Sequence, residues 1–316
     1  MDYGAIPMVS ERVSRLIMGS LVFSLETPER RDITFALLDR YVEAGGNAVD
    51  TAYIYGRGAS EQAIGVWLRE RSCREQMIII TKGGFVYHPD GRLEVSPELI
   101  SQHLAASLEH LQVETIDLYL LHRDDPAVPV GELVDCLNEH LRAGRIRAFG
   151  GSNWHHRRLE EANAYAQAHG LRSFVASSPN LALAVPREPM WADCLSIAGD
   201  REALAWYRQT QFPVLAWSAQ ARGFFSGRFS PESQPDPDVA RVYYTPDNWE
   251  RLRRAREIAA RHACSPTQVA LAWVLRQPLN VFPIVGPATA GELEDTLGAL
   301  NVRLSEEETA WLNLER

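Results

Sequence analysis

The sequence has few cysteines and no pattern that would use them together. Its 316 residues include four, and no two of them form a CxxC motif or lie in a cluster with histidines. Disulfide frameworks and zinc sites need such clusters, so neither is expected, and no other metal site is predicted. The four are interpreted as reduced thiols without a chemical role: Cys73, Cys136, Cys194 and Cys264.

Long apolar runs are also missing. The longest, such as MIII before Thr81 and LALAV from Leu181, are far shorter than the roughly 18 to 20 residues that a transmembrane helix needs. The N-terminal MDYGAIPMVS lacks the basic-then-apolar pattern of a secretory signal. The sequence therefore predicts no membrane association and a cytoplasmic location.

Positive charge is in deficit. Lys and Arg total 32 against 41 Asp and Glu, a net charge of -9, which argues against DNA or another nucleic acid as a partner. Hydrophobic residues make up 46% of the chain, which is enough for a large core. A globular protein that acts on a small molecule is expected, and the composition leaves its oligomeric state open.

Short apolar runs alternate with amphipathic stretches along the whole chain, which predicts a repeated βα unit. Runs of this kind are typical of parallel strands that helices cover from outside. A Ser or Thr followed by proline marks helix starts at Pro28, Pro97 and Pro266. Eight runs are predicted as strands: SRLIMGS (14–20), NAVDTA (47–52), MIIITK (77–82), IDLYLLH (116–122), IRAFGGS (146–152), FVASS (174–178), PVLAWS (213–218) and VFPIVG (281–286).

Eight βα units without a linker predict a (β/α)8 TIM barrel, with residues 1–316 as a single domain. A doubly wound sheet is the alternative, but no GxGxxG follows an early strand. Two long segments, 181–199 after the sixth strand and 222–247 after the seventh, are expected at the C-terminal face, where barrel enzymes place their sites. An additional helix is expected at 305–314.

Polar residues end three successive predicted strands. Asp50, with Tyr53 and Tyr55, follows the second strand, Lys82 ends the third and His122 ends the fourth. In a barrel these strand ends are neighbours on one face. A carboxylate, a phenol, an ammonium group and an imidazole are therefore predicted to lie together.

Five segments resemble motifs of the aldo-keto reductase family, in matching order and strand placement. The resemblance extends from the first strand to the final helix. It implies an oxidoreductase, an NAD(P)-dependent carbonyl reductase on a (β/α)8 barrel, with Asp50, Tyr55, Lys82 and His122 as catalytic residues. The segments are DTAYIYG (50–56), ITKGG (80–84), DLYLLH (117–122), GGSNW (150–154) and WSAQARGFFSG (217–227).

Carbonyl reduction gives a reason for these residue types. Hydride adds to carbon, and a positioned acid must stabilise and protonate the oxygen. A phenol can do this if the ammonium group of Lys82 lowers its pKa from about 10, while Asp50 keeps that ammonium charged and neutral His122 orients the carbonyl. Tyr55 is the predicted acid, because it precedes glycine as in the family's DTAxxYG pattern, whereas Tyr53 either lines the pocket or packs.

The resemblance also implies where a nicotinamide nucleotide binds. It places Ser152 and Asn153 against the carboxamide and Trp217 against the nicotinamide ring. After the sixth strand the chain departs from the family, since VASSPN offers Ser177 or Ser178 where many members have glutamine. The turn after the seventh strand and the segment after the eighth supply the other predicted contacts: Ser218, Gln220, Arg222, Gly223, Gly286, Thr289, Glu292 and Asp295.

A second departure concerns the choice of nucleotide. The segment GPATAGELED after the eighth strand offers no cation to the adenosine 2′-phosphate and contains Glu292. Charge-assisted hydrogen bonds worth about 1.5 to 3 kcal/mol each would be missing. NADP is predicted as the family's usual cofactor, slightly ahead of NAD.

Aromatic residues of the loops are expected to line an apolar pocket. Such a pocket suits an aldehyde or ketone with an aromatic, aliphatic or sugar-like body, and no arginine cluster marks it for an anion. The predicted lining residues are Phe23, Tyr53, Phe85, Tyr87, Trp154 and Trp191.

Two other functions are compatible with these residues. Some members of the family are regulatory channel subunits that bind the nucleotide with little catalysis, although the complete tetrad favours an enzyme. A lysine that ends a barrel strand can also be the Schiff-base nucleophile of an aldolase. An adjacent carboxylate keeps an amine charged, so Asp50 argues against that role for Lys82.

Overall fold

The computed structural model describes residues 1–315. Eight parallel strands close into a barrel, which confirms the predicted fold, and each coincides with one of the predicted runs. With all strands numbered along the chain, they are β3 (Ile17–Gly19), β4 (Ala48–Asp50), β5 (Ile78–Gly83), β8 (Ile116–Leu121), β9 (Ile146–Ser152), β10 (Ser177–Ser178), β11 (Val214–Ala216) and β12 (Val281–Val285). Around the barrel the order is β10, β11, β12, β3, β4, β5, β8, β9.

Two antiparallel hairpins were not predicted. The first pairs β1 (Tyr3–Ile6) with β2 (Ser10–Ser14), so Ser14 belongs to this hairpin and the predicted run 14–20 began too early. Ile6 and Val13 of this hairpin pack in one cluster with residues that begin barrel strands. The hairpin therefore closes the N-terminal end of the barrel and leaves the C-terminal end for a site.

The second hairpin, β6 (Phe85–Tyr87) paired with β7 (Leu93–Val95), follows β5 at the C-terminal end.

Helices cover the barrel, and none in the described chain is long and apolar enough to cross a bilayer. Their bounds are α1 (Pro28–Glu43), α2 (Ala59–Arg71), α3 (Pro97–Leu111), α4 (Val130–Arg142), α5 (His156–Ala168), α6 (Arg201–Thr210), α7 (Pro237–Tyr243), α8 (Pro246–His262), α9 (Pro266–Leu275), α10 (Ala290–Gly298) and α11 (Glu306–Leu312).

Local sequence explains where these helices begin and end. Thr27, Ser96 and Ser265 cap α1, α3 and α9 with their hydroxyl groups, and each helix begins with the predicted proline. Proline suits this position because its missing N–H would have no helical partner there. The predicted additional helix at 305–314 corresponds to α11, which Ser305 caps.

Candidate active site

The alternation of side chains along a strand places the candidate residues inside the barrel. Ala48 and Ile80 belong to the inward cluster, whereas Val49 and Ile79 pack under the helices. Successive side chains point to opposite faces of a strand, so Asp50 and Lys82, two residues beyond inward neighbours, point inward as well. The same period of two places His122 on the inner side after Leu118 and Leu120 of β8.

Lys82 and Asp50 form a buried ion pair at the ends of β5 and β4. Nζ of Lys82 donates to Oδ2 of Asp50 at 2.6 Å and to the carbonyl oxygen of Thr51 at 2.9 Å. Both side chains are at most 3% exposed. Burial lowers the pKa of Lys82, but Asp50 and the phenol of Tyr55 raise it more, so that it lies above its ordinary value. Lys82 is therefore a fixed cation.

A tight turn directs Tyr55 over this cation. The segment Tyr55–Gly58 follows β4, and three successive residues, Gly56, Arg57 and Gly58, have φ of 57°, 56° and 91°. Glycine adopts this left-handed region at little cost, which allows the chain to reverse within four residues. Nζ of Lys82 then lies 5.1 Å from the centre of the Tyr55 ring.

The charge state of Tyr55 differs from the expectation. Burial raises the pKa of its phenol, and Lys82 lowers it by less, so the pKa stays above its ordinary value. The predicted net lowering was wrong, because the desolvation of a phenolate in this site outweighs the attraction of one ammonium group. Tyr55 therefore carries its proton at neutral pH, as a proton donor must.

His122 forms another wall of the site. Its ring lies 6.0 Å from that of Tyr55, edge to face, and Nδ1 has no hydrogen-bond partner among the described residues. Burial, together with the charges of Lys82 and Arg123, holds the pKa of His122 well below its ordinary value. The imidazole is therefore neutral and can donate from one nitrogen only.

Tyr53 points away from this group. Its ring stacks on His103 of α3 at 4.0 Å, and its backbone N–H donates to the carbonyl oxygen of Lys82 at 2.9 Å. Tyr53 thus packs outside the strand end and does not line the pocket. Of the two tyrosines, Tyr55 lies beside Lys82 and His122.

The residues predicted to contact a nicotinamide carboxamide are bonded to the protein. Ser152 Oγ donates to the carbonyl oxygen of Ser178 at 3.1 Å, and Asn153 Nδ2 donates to that of His122 at 3.2 Å. Asn153 Oδ1 accepts from the indole N–H of Trp217 at 3.1 Å. This last bond fixes the orientation of the Trp217 ring at the end of β11.

The two serines after the sixth barrel strand are likewise engaged. Ser178 Oγ donates to the carbonyl oxygen of Leu215 at 2.9 Å, and Ser177 Oγ lies 2.8 Å from the hydroxyl of Tyr207. Both serine hydroxyls are buried. Their bonds join neighbouring strands and α6, which gives each of them a structural use.

The turn after β11 has an unusual run of left-handed residues. Ser218, Ala221, Arg222 and Gly223 have φ between 48° and 81°. Backbone N–H groups in such turns form concave sites for anions, which is what a pyrophosphate requires. The side chains fix the turn: Arg222 pairs with Asp236 at 3.0 Å, and Gln220 donates to Thr296 at 3.2 Å.

At the predicted adenosine end, the start of α10 is already capped. Thr289 Oγ1 accepts from the backbone N–H of Glu292 at 3.2 Å, and Oε2 of Glu292 accepts from that of Ala288 at 2.8 Å. Gly286 is exposed and Asp295 is half-buried. A helix N-terminus attracts anions, and here the Glu292 carboxylate already occupies that position.

The aromatic residues predicted for the pocket fall into two groups. Phe85 contacts the His122 ring at 5.3 Å, and Tyr87 and Trp191 are each 41% exposed at the open end. Trp154 and Phe23 are buried in the core cluster, which also includes Phe85, and neither makes a ring contact with His122 in the described chain. Trp154 packs on Phe174 at 4.9 Å with no exposed surface, so its assignment to the pocket was wrong.

Sequence reasoning missed one charged residue of the pocket, Arg123. It directly follows His122 and is buried. The signal was available, since an arginine at a barrel strand end is expected at the catalytic face. Its contacts in the fold include the Tyr87 hydroxyl and the Phe85 ring. Five large apolar residues that follow barrel strand ends are exposed: Leu21, Val22, Ile54, Tyr87 and Trp191.

Comparisons with known proteins identify the family of the chain. The family model "Aldo/keto reductase family" matches residues 15–313. The chain is 29% identical to an uncharacterized oxidoreductase, YrpG, of Bacillus subtilis (strain 168), over 99% of this chain and 95% of the relative. It is 28% identical to aldo-keto reductase yakc [NADP(+)] of Schizosaccharomyces pombe (strain 972), over 88% and 81%.

A solved structure gives the same result. The thermostable aldo-keto reductase Tm1743, in complex with the inhibitor epalrestat, superposes with a TM-score of 0.76 at 25% identity, covering 99% of both chains. The match extends over barrel, loops and final helix. The chain belongs to the aldo/keto reductase family.

Proposed function

We propose that the protein reduces an aldehyde or ketone to an alcohol with a nicotinamide nucleotide, and that Tyr55 donates the proton. The observation that carries this proposal is the meeting of a protonated phenol, a neutral imidazole and the Lys82–Asp50 ion pair at the open end of the barrel. The family assignment supports carbonyl chemistry at this site.

The chain has a suitable place for the nucleotide. The left-handed turn from Ser218 to Gly223 would hold the pyrophosphate, and Trp217, fixed by Asn153, would stack on the nicotinamide. Ser152 and Asn153 would orient the carboxamide after exchanging bonds that they now make within the protein. When bound, the reduced nucleotide supplies the hydride that the carbonyl carbon accepts.

The protein's own residues handle the proton. As the carbonyl oxygen gains negative charge, Tyr55 Oη transfers its proton to it, which yields the alcohol and a phenolate. Lys82 lies beside that phenolate and stabilises it, and Asp50 keeps the buried ammonium group of Lys82 charged. The neutral His122 imidazole donates a hydrogen bond to the carbonyl oxygen and orients it.

The nucleotide is proposed to be NADP, with weak discrimination against NAD. The relative yakc carries NADP(+) in its name. Against a strong preference stands Glu292, whose carboxylate caps α10 at the predicted position of the 2′-phosphate. We further propose that residues 1–316 act as one domain, and the cytoplasmic location stays a prediction.

A steady-state screen tests the proposal. Aromatic and aliphatic aldehydes and ketones are offered with NADPH and with NADH, and nucleotide oxidation is followed by absorbance. Tyr55→Phe is expected to lose nearly all turnover with little change in nucleotide affinity, since only the proton donor is removed. Tyr53→Phe is the matched control, because its ring packs on His103 outside the site. Tyr55→Phe activity within a few-fold of wild type would contradict the mechanism.

A further inference from the structure

Arg123 is a buried cation at the opening of the pocket. It is 7% exposed, and Nη1 donates to the carbonyl oxygen of His122 at 2.8 Å. Nε donates a long bond to the hydroxyl of Tyr87 at 3.4 Å, and Cζ lies 5.3 Å from the centre of the Phe85 ring. These contacts fix the guanidinium beside the proposed catalytic histidine.

This guanidinium has no ion-pair partner within 4.0 Å among the described residues, which distinguishes it from nearby Arg158, paired with Asp124 at 3.3 Å. The acid closest to it in the hydrogen-bond network is Asp193, reached only through Tyr87, whose hydroxyl lies 3.0 Å from Oδ2. Burying a cation is costly unless an opposite charge or several acceptors compensate it. Arg123 therefore has unused capacity for an anion.

The position of Arg123 beside the proposed catalytic residues indicates that the anion is part of the carbonyl substrate. The rings of Phe85 and His122 are 5.3 Å apart, and Arg123 lies at the same distance from Phe85. Phe85 therefore borders both the imidazole and the guanidinium, and a carbonyl compound bound against Tyr55 and His122 would be within reach of Arg123. The anion and the carbonyl group would belong to one molecule.

The surroundings indicate an apolar body for that molecule. Seven large hydrophobic residues of the described chain are exposed, and five of them lie in the segments that follow barrel strand ends. A group of exposed apolar side chains around an opening is typical of a ligand site, whereas single exposed apolar residues are common anywhere on a surface. The five are Leu21, Val22, Ile54, Tyr87 and Trp191.

We propose that Arg123 binds the carboxylate of the substrate, so that the enzyme prefers apolar aldehydes or ketones that carry a carboxylate over their neutral analogues. This inference rests on the proposed function for the position of the carbonyl group. A planar guanidinium matches the two oxygens of a carboxylate. A phosphate dianion would call for a second cation. Lys82 is paired with Asp50, and Arg222, which lies over Trp191, is paired with Asp236.

The test compares 4-carboxybenzaldehyde with its methyl ester, which differ in charge and keep the same aldehyde and ring. Wild-type kcat/KM with NADPH is expected to be roughly tenfold to a hundredfold higher for the acid. Arg123→Gln should bring the acid-to-ester ratio close to one, and Arg123→Lys should retain part of it. Arg92→Gln is the matched control, because it removes an exposed charge from the β6–β7 hairpin and should leave the ratio unchanged.

The ratio separates recognition from structure. If Arg123 only supports His122, its replacement lowers kcat/KM for both aldehydes equally, and that result overturns the inference. Equal wild-type turnover of acid and ester also overturns it, while the proposed function stands. A second measurement needs no turnover. Calorimetry gives the affinity of the nucleotide-free protein for 4-(hydroxymethyl)benzoate and for its methyl ester. Tighter binding of the acid than of the ester, lost in Arg123→Gln, supports the inference even if neither aldehyde is reduced. Equal affinity for acid and ester contradicts the inference.

Discussion

Replacing Lys82 by methionine should destabilise the protein as well as inactivate it. Asp50 would keep a buried carboxylate whose Oδ2 has lost its 2.6 Å partner and whose Oδ1 has no partner among the described residues. Removing one member of a buried ion pair costs about 3 to 5 kcal/mol. Against a total stability of roughly 5 to 15 kcal/mol, this is a large fraction.

The pH dependence of this loss has a definite sign. Burial already raises the pKa of Asp50 despite Lys82, and losing the cation raises it further. The folded variant then binds a proton that the unfolded chain releases, so its stability falls as pH rises and recovers as pH falls through the raised pKa. Chemical denaturation at several pH values measures this change.

A second variant separates stability from chemistry. Asp50→Leu combined with Lys82→Met replaces the pair with apolar side chains, which is often neutral or stabilising. We expect a free energy of unfolding within about 1 kcal/mol of wild type for this double variant, with no reductase activity. The reasoning is refuted if Lys82→Met alone is as stable as wild type at neutral pH, or if the double variant is no more stable than the single one.

Three further predictions concern the nucleotide, the pH profile and the lysine. Wild-type discrimination between NADP and NAD should be within about 2 kcal/mol, or about 30-fold in kcat/KM. Glu292→Arg should shift the preference toward NADP, and Glu292→Gln is the control that keeps the cap. A wild-type preference above about a thousandfold that Glu292→Arg leaves unchanged would contradict this prediction. For reduction, kcat/KM should be flat between about pH 6 and 9. Reduction needs the protonated phenol of Tyr55, whose pKa is raised, and a neutral His122, whose pKa is lowered. A midpoint near neutrality would refute these protonation states. Treatment with borohydride and an aldehyde, without nucleotide, should leave Lys82 unmodified in peptide mapping. The reason is that Asp50 keeps Lys82, the only lysine of the chain, charged. An adduct at Lys82 would instead favour the Schiff-base aldolase.

Much of the fold could be predicted because barrel strands have a simple pattern. Runs such as MIIITK are apolar on both faces, since one face meets the barrel interior and the other meets helices. The period of two then places Lys82 inside, two residues after Ile80. The two hairpins escaped prediction because their strands are only three to five residues long, and because β2 and β7 contain charged residues.

The candidate site was harder to predict wherever tertiary contacts decide a side chain's direction. Periodicity alone does not choose between Tyr53 and Tyr55; the left-handed turn after Tyr55 does so in the folded chain. Trp154 ends the GGSNW motif, in which Ser152 and Asn153 resemble cofactor contacts, yet its side chain is buried against Phe174. The pKa of Tyr55 depends on the balance between burial and a nearby cation, which no sequence pattern gives.

The transfer of deuterium from C4-deuterated NADPH to a carbonyl substrate tests the central claim most directly. The account predicts that the alcohol product contains one deuterium per nucleotide oxidised, and that Tyr55→Phe binds NADPH as wild type does while forming almost no product. The nucleotide affinity, measured by fluorescence titration, shows that the variant is folded. An alcohol without deuterium, or undiminished transfer in Tyr55→Phe, would contradict the account.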